Sequence, residues 1–373
     1  MVFKVCKQVR WYALSAIIAA VIVTFWTTET DFYKNSFSSG RICRNGEEPV
    51  SMVLVGDLLI GGGKVHAQLK KDEYNPRPVL GSVYDVLEEG DLVFANFEGI
   101  ISGQHEARQK NLPPSFSVRS DPAIIDFLKN LKNPILSFAN NHSADFGLAG
   151  IKDAVALLDE YKIAYVGMGL TRDAATKPAV FDSFNTRVAF VAFTDLLPEE
   201  YYADDVRPGI AELTSDSLKK SIDHAKSISD FVIVSLHTAE PGSTSFVFFP
   251  DQHQRQMYRL AIDYGADLVV GQHSHGIQLF EKYKGKLIFY SLGIFLYDPG
   301  VSSRYLPTHP LFGPTQFKGG GVLTALVCKD GLLDFDLLPT KVVVVAENDL
   351  MVTDDSPFQH FLIQLNRWYV AFL

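Results

Sequence analysis

The chain has 373 residues, of which 47% are hydrophobic and 21% charged, and its formal net charge is −9. That length allows one large domain or two moderate ones, and the composition is that of ordinary globular material with ample core. The negative balance argues against a general nucleic-acid binder, which carries a basic face, without excluding a local basic pocket.

Lys4, Lys7 and Arg10 precede an apolar run from Trp11 to Trp26, interrupted only by Ser15 and Thr24. Extended to Thr28, the run spans roughly 27 Å as a helix, just sufficient for a hydrocarbon core of about 30 Å. Trp11 and Tyr12 at one end, and Phe25 and Trp26 at the other, suit the two interfacial belts. Residues 1–10 then lie in the cytoplasm and 11–28 form a transmembrane anchor. The rest of the chain is extracytoplasmic, in a periplasm or at the cell surface. The rival reading is a cleaved signal peptide, for which Ser36-Phe37-Ser38 is a weak site. Residues 29–49 read as a polar linker. Cys43 and Cys328 are the only cysteines on the outer side, either bridged or as two unpaired thiols.

The folded domain is expected over 50–345. Ser51 to Val55 is a nearly continuous apolar run, as in a strand buried on both faces, and it ends at Gly56-Asp57. A short helix over Val83–Glu89 leads to Asp91–Phe97, which ends at Glu98. Residues 100–118 read as a loop. Ser120 is expected to cap a helix carrying Ile124, Ile125 and Leu128, with Pro122 in its first turn. The strand at 134–139 ends in Asn140-Asn141-His142, with Asp145 and Gly147 close behind. A helix over Leu148–Tyr161 and a strand over Ile163–Val166 follow. The order β-α-β-α-β-α-β implies a parallel sheet with helical crossovers.

Residues 178–195 read as a hairpin turning at Asn185-Thr186. A helix over Ser215–Ser227 precedes a strand ending at His237, and a helix over Asp251–Tyr264 precedes a strand ending in His273-Ser274-His275. Leu287–Gly293 is a further strand, and 296–321 a long Gly/Pro-rich loop of the kind that often carries function. Strands near 322–328, 333–338 and 341–345 close the sheet. Residues 346–373 hold an amphipathic helix, Pro357–Tyr369, packed on the domain.

Ligands bind beyond the carboxyl ends of strands in an open α/β sheet. Here five strands end in Asp57, Glu98, Asn141-His142, His237 and His273-x-His275. This nitrogen and oxygen mix suits Zn²⁺, Mn²⁺ or Fe²⁺, in one or two sites. His237, His273 and His275 can ligate, Asp57 can bridge, Asn141 can offer its carbonyl oxygen, and His142 can serve as ligand or general acid. His-x-His on one strand would put both rings on the same face. Each residue also has a plain alternative: a strand-end histidine is commonly just hydrogen-bonded, Asp57 can cap a turn, and Asp145 can cap a helix. His66, His105, His224, His253, His309 and His360 show no such placement.

These residues resemble the CapA family of poly-γ-glutamate capsule synthesis proteins and, more distantly, the calcineurin-like metallophosphoesterases. The resemblance runs from about Val53 to Asp298. It rests on Val55-Gly56-Asp57, Gly90-Asp91 through Asn96-Phe97-Glu98, Ala139-Asn140-Asn141-His142 with Asp145 and Gly147, and Ser235-Leu236-His237. Tyr264–Gly271, His273-Ser274-His275 and Tyr290-Ser291-Leu292-Gly293 with Phe295 continue it. It implies a four-layer α/β/β/α sandwich behind an N-terminal anchor. The candidate metal set at the strand ends is Asp57, Glu98, Asn141, His237, His273 and His275, with Asn141, His142 and Asp145 in catalytic places. The chain departs from the pattern in four places along the sequence. Leu59 replaces a histidine of the phosphoesterases. His-Trp-Gly-x-Glu appears as His237-Thr238-Ala239-Glu240-Pro241, Gly-His-His-Pro-His as Gly271-Gln272-His273-Ser274-His275, and Ile294 replaces an asparagine. A single-metal or degenerate site is compatible with what remains.

Two functions follow from the resemblance. One is synthesis or export of an extracellular polyglutamate-type polymer beside membrane-bound ligase or export subunits, the anionic polymer being met by Arg108, Lys110, Arg119, Arg304 and Lys318. For any one of these, the simpler account is a solvated surface charge. The other is a metal-dependent hydrolase of a phosphoester or amide, and whether the protein is an enzyme stays open at this point.

Overall fold

The first strand, β1 (Val50–Leu59), is buried along almost its whole length, as its apolar run predicts for a strand covered on both faces. It opens the computed structural model's ordered domain; the described residues are 41–105, 117–240, 249–297, 319–344 and 350–353. The predicted anchor at 11–28, linker residues 29–40, most of the 296–321 loop and the helix predicted over Pro357–Tyr369 lie outside them. Among the described residues no helix is long and apolar enough to cross a membrane.

After β1 come α1 (Lys64–Lys71), α2 (Arg77–Leu80), α3 (Val83–Glu89) and β2 (Leu92–Phe97). Then α4 (Ile124–Lys129) leads to β3 (Pro134–Ser137), and α5 (Gly147–Tyr161) to β4 (Ala164–Val166). β1, β2, β3 and β4 pair in parallel in that order, the crossover arrangement expected of alternating strands and helices. A short helix, α6 (Arg172–Ala175), precedes the hairpin β5 (Ala179–Ser183) and β6 (Thr186–Thr194). Next are α7 (Ser215–Ile228), β7 (Phe231–His237), α8 (Gln252–Tyr264), β8 (Leu268–Gly271), β9 (Phe280–Tyr283) and β10 (Lys286–Phe289). These six strands form a second sheet in the order β9-β10-β8-β7-β6-β5.

The chain then returns to the first sheet with β11 (Ile294–Tyr297), β12 (Gly319–Cys328), β13 (Gly331–Val344) and β14 (Leu350–Thr353). β11 runs parallel to the end of β1, and β12 pairs antiparallel with its start. The first sheet thus has eight strands and a mixed direction.

Alternation along the strands decides what each face meets. In β6, Ala189, Val191 and Phe193 join Leu218, Ile222 and Ala225 of α7 and Ala261 of α8 in one core cluster. The intervening Phe190 points the other way and stacks on Phe94 of β2, with ring centroids 5.1 Å apart. In the same manner Ile288 faces the helices, while Phe289 meets Phe335 of β13 at 5.7 Å. The two sheets therefore share an apolar interface. α7 and α8 are fixed at their starts by capping boxes, Thr214 with Ser217 and Asp251 with Gln254. Gly265, at φ 110°, closes α8 in the left-handed conformation.

Several expectations are corrected. Ser120 does not cap a helix: it lies in a two-residue strand, Arg119–Ser120, paired with Ile100–Ile101, and its hydroxyl donates to the Ile60 carbonyl. The helix starts later, with Ala123 in the cap position. The pieces expected at 333–338 and 341–345 are one strand. That strand runs through Pro339, which lies opposite Gly321 of β12. Residues 350–353, assigned to a C-terminal helical segment, form β14. The strand expected over Leu287–Gly293 ends at Phe289, and β9 and β11 were not foreseen.

Cys43 and Cys328 are bridged, with Cα atoms 5.8 Å apart. The register explains the match. Val50 of β1 lies opposite Val327 of β12, and the turn between Cys43 and Glu47 folds the preceding residues back toward that strand end.

Candidate metal centre at the joint edge of the two sheets

Asp57, Asn96 and Glu98 come from the carboxyl ends of β1 and β2, and Asn140, Asn141 and His142 from the loop after β3. His237 ends β7, and Gln272, His273 and His275 follow β8. The first group belongs to one sheet and the second to the other. Glu98 joins them. Its Oε1 lies 3.2 Å from His275 Nε2, 3.8 Å from His237 Nε2 and 3.9 Å from His142 Nε2.

Two groups of donors share Glu98. Asp57, Glu98 and His275 place one ligand atom each within 4.8 Å of one another. Around His237 Nε2, Asn141 Oδ1 lies at 2.7 Å and His273 Nδ1 at 3.3 Å, with Glu98 Oε1 at 3.8 Å. Donors about 2.1 Å from a tetrahedral ion stand about 3.4 Å apart, so these separations suit a small cation. A second observation agrees: Asp57 Oδ2 and Glu98 Oε2 are buried and have no hydrogen-bond partner. Buried carboxylate oxygens without partners are costly unless a cation meets them. The residues present therefore fit a divalent metal.

The charges point the same way. Burial, and then the charge of Glu98, push the Asp57 carboxyl well above its ordinary range. Burial would raise Glu98 too, but the charge and hydrogen bond of His275, helped by His237 and His142, hold it low. Burial works against a charge on His275, yet Glu98 and then Asp57 raise it to about 9. Burial and the neighbouring His275 lower His273 to about 4, and burial pushes His237 well below the usual imidazole range despite Glu98. Glu98 thus faces a charged His275, while Asp57 beside them is pushed toward its neutral form. A divalent ion would balance both carboxylates and let every imidazole ligate in its neutral form.

Local sequence explains the close packing. A Cβ on Gly56 would stand 1.8 Å from the Gly293 carbonyl oxygen, which accepts from the Asp57 N–H at 2.8 Å. Only glycine lets that backbone approach, and the ladder shifts register there. The histidine pair is not on a strand, contrary to expectation. β8 stops at Gly271, and His273 (φ 82°) and His275 (φ 56°) both take left-handed backbone in the turn that follows. Their rings meet, with centroids 6.3 Å apart, through this turn and not through strand alternation. Such backbone costs of order 1–3 kcal/mol per residue and clusters at functional sites.

His142 Nδ1 lies 2.7 Å from Asp145 Oδ2, which also accepts from the Val118 N–H at 2.8 Å. Asp145 does not cap α5, whose N-cap is Phe146 without a side-chain bond. Its carboxylate instead orients the His142 ring.

Three amides, quoted in the motifs above without a role, complete the site. Asn96 Nδ2 donates to Asp57 Oδ1 at 2.8 Å and lies 3.3 Å from His237 Nδ1. Asn140 Nδ2 donates to Asn96 Oδ1 at 3.2 Å, and its own oxygen receives the His142 N–H at 3.0 Å. Gln272 lies against Asp57. Their signal was burial of polar residues at strand ends, which only the fold reveals. His253, read as ordinary, sits 2.6 Å from Asp195, whose other oxygen accepts from Thr238 beside His237. Arg119 donates to the Ser102 carbonyl and lies over Phe146. Arg108, Lys110, Arg304 and Lys318 are outside the described residues.

Comparison with known proteins gives a consistent picture. The chain is 29% identical over 301 residues to the capsule biosynthesis protein CapA of Bacillus anthracis, covering 79% of this chain and 70% of that one. It is 25% identical over 298 residues to the PGA biosynthesis protein CapA of Bacillus subtilis, covering 80% and 76%. A calcineurin-like phosphoesterase structure, YfkN of Bacillus subtilis, covers 87% of this chain and 98% of that one, at 15% identity and a TM-score of 0.37, a likeness too low to carry an argument. The family model described as bacterial capsule synthesis protein PGA_cap matches residues 51–299, well over half of the sequence, and spans every strand end described above except those after Tyr297. The chain belongs to the PGA_cap family of bacterial capsule synthesis proteins.

Proposed function

We propose that this chain is a membrane-anchored, CapA-like component in the synthesis or export of an extracellular poly-γ-glutamate-type polymer, built around a divalent-metal centre. The observation that carries the reading is the convergence of donors from both sheets on Glu98 within a PGA_cap chain. Residues 50–345 form the working domain in an α/β/β/α layering, supported by the helices on the second sheet and the Phe94–Phe190 contact between sheets. Residues 11–28 anchor it with the N-terminus in the cytoplasm. The Cys43–Cys328 bridge supports an oxidising, extracytoplasmic setting. Membrane-bound ligase or export subunits are the partners, and the anionic polymer is the ligand.

Asp57, Glu98 and His275 would hold one ion, and Glu98, Asn141, His237 and His273 a second or alternative one; Zn²⁺, Mn²⁺ and Fe²⁺ suit these donors. Such an ion supplies Lewis-acid polarisation and an acidic water. A second reading, hydrolysis of an amide or phosphoester in that polymer or another substrate, is favoured by the His142–Asp145 pair. Asp145 holds His142 Nδ1, leaving Nε2 directed at the Glu98 edge to deliver a proton to a leaving group. The two readings coexist if hydrolysis trims or releases the polymer.

The test is metal content of the full chain purified without chelator, beside a His273→Ala/His275→Ala double variant. One or two equivalents of a transition metal, lost in the variant, sustain the centre and direct assays to γ-glutamyl amides and phosphodiesters. A folded wild type with no metal sinks the metal-dependent mechanism. The capsule role is tested separately by expression in a polyglutamate-forming host that lacks its own CapA. Failure to restore surface polymer counts against it.

A further inference from the structure

Gln272 stands where the family pattern leads one to expect a histidine. It is fully buried, and its backbone N–H donates to the Leu236 carbonyl at 3.1 Å. One orientation of its amide gives both ends a partner. In it the nitrogen donates to Asp57 Oδ1 at 3.0 Å and to the Gly271 carbonyl at 3.2 Å. Asn96 Nδ2 donates to the same Oδ1 at 2.8 Å, and Asn96 is itself held by Asn140. Oδ1 is therefore engaged by two amides, one from each sheet, while Oδ2 is buried without a partner. A carboxylate held in this way has one oxygen left to offer.

We propose that Gln272 is a positioning residue: with Asn96 it occupies Asp57 Oδ1, so that Asp57 presents Oδ2 alone to the cation and the centre prefers a small transition-metal ion to Ca²⁺. The inference rests on the metal-centre reading above. Ca²⁺ takes six to eight oxygens and uses carboxylates with both oxygens as readily as with one. A centre with one available Asp57 oxygen and three imidazoles in reach serves it poorly. Removing the Gln272 donor leaves Oδ1 held by Asn96 alone, which weakens the hold on a small ion and eases the restriction on a large one. Partners that orient ligands are typically worth about 10–100-fold in metal affinity.

The experiment is titration of metal-stripped full chain with Mn²⁺ and, separately, Ca²⁺, in wild type, Gln272→Met and Gln272→His. Methionine keeps the volume and removes the donor, whereas histidine restores one N–H. Thermal unfolding without metal verifies that each variant is folded. Gln272→Met is expected to weaken Mn²⁺ binding about 10–100-fold and to leave Ca²⁺ binding unchanged or tighter, so that the ratio of the two falls. Gln272→His is expected to stay within about threefold of wild type for Mn²⁺. Unchanged Mn²⁺ binding in Gln272→Met, or an equal loss for both ions, overturns the proposal while the metal centre stands. A wild type that binds no Mn²⁺ overturns both. Should Gln272→Met fail to fold, Gln272→Leu, which also lacks the donor, takes its place with the same outcomes, and a loss beyond about tenfold in Gln272→His refutes the role.

Discussion

Asn141 Oδ1 lies 2.7 Å from His237 Nε2, although Asn141 follows a strand of one sheet and His237 ends a strand of the other. The contact joins residues 96 apart in sequence. It also brings a neutral oxygen into a ring otherwise made of imidazole and carboxylate. Replacing Asn141 with leucine removes that oxygen at similar volume. Metal retained after dialysis should fall at least about tenfold, as read by elemental analysis. Full retention would put Asn141 outside the centre.

The left-handed backbone at His273 predicts an inverted order of stabilities. Alanine is ordinarily the better residue outside turns, but at φ 82° its Cβ is strained and glycine is not. Both His273→Gly and His273→Ala lose the imidazole equally. The glycine variant should nonetheless be the more stable of the two by about 1 kcal/mol in metal-free chemical denaturation. Equal stabilities would mean the turn relaxes when the ring is removed.

The Cys43–Cys328 bridge spans 285 residues of sequence. Closing so long a loop restricts the unfolded chain strongly, and a Cys43→Ser/Cys328→Ser variant should lose about 2–4 kcal/mol. Thiol titration of the denatured, unreduced protein should find Cys6 alone reactive. Three reactive thiols would show that the bridge does not form.

Glu281 sits between Arg259 and Tyr290. Arg259 donates two bonds of 2.8 Å to it, and the Tyr290 hydroxyl one of 2.9 Å. Burial would raise its carboxyl, but the bonds from Arg259 and Tyr290 outweigh burial and lower it. A lowered folded-state value means stability that is present above the unfolded value and lost as pH falls through the folded one. The Glu281→Gln variant should therefore trail wild type by about 1 kcal/mol at pH 7. The gap should begin to shrink as pH falls below the unfolded value of about 4.3 and vanish only below the lowered folded value. A gap that is constant with pH would assign the loss to packing.

The order of strands and helices was legible because each signal is local. The apolar run from Met52 to Val55 and the helical spacing of Ile124, Ile125 and Leu128 depend only on near neighbours in the chain. Asp57, Glu98, Asn141, His142, His237, His273 and His275 were legible as a set because each lies at a strand's carboxyl end, where α/β sheets place ligands. Less of the turn chemistry could be read. The left-handed His273 and His275, with no glycine at either place, defy the local preference that a sequence reading relies on.

The sequence by itself determined the alternating α/β plan and the chemistry available at the strand ends, since periodicity and residue type are properties of short stretches. Only the tertiary structure decided which atoms meet: Glu98 as the shared carboxylate, Asp145 turned to His142 and not to a helix end, the two amides on Asp57 Oδ1, and Cys43 beside Cys328. Those contacts depend on strand register and on how two sheets stack. A shift of one residue in either would turn the side chains to the other face, and no local pattern specifies it.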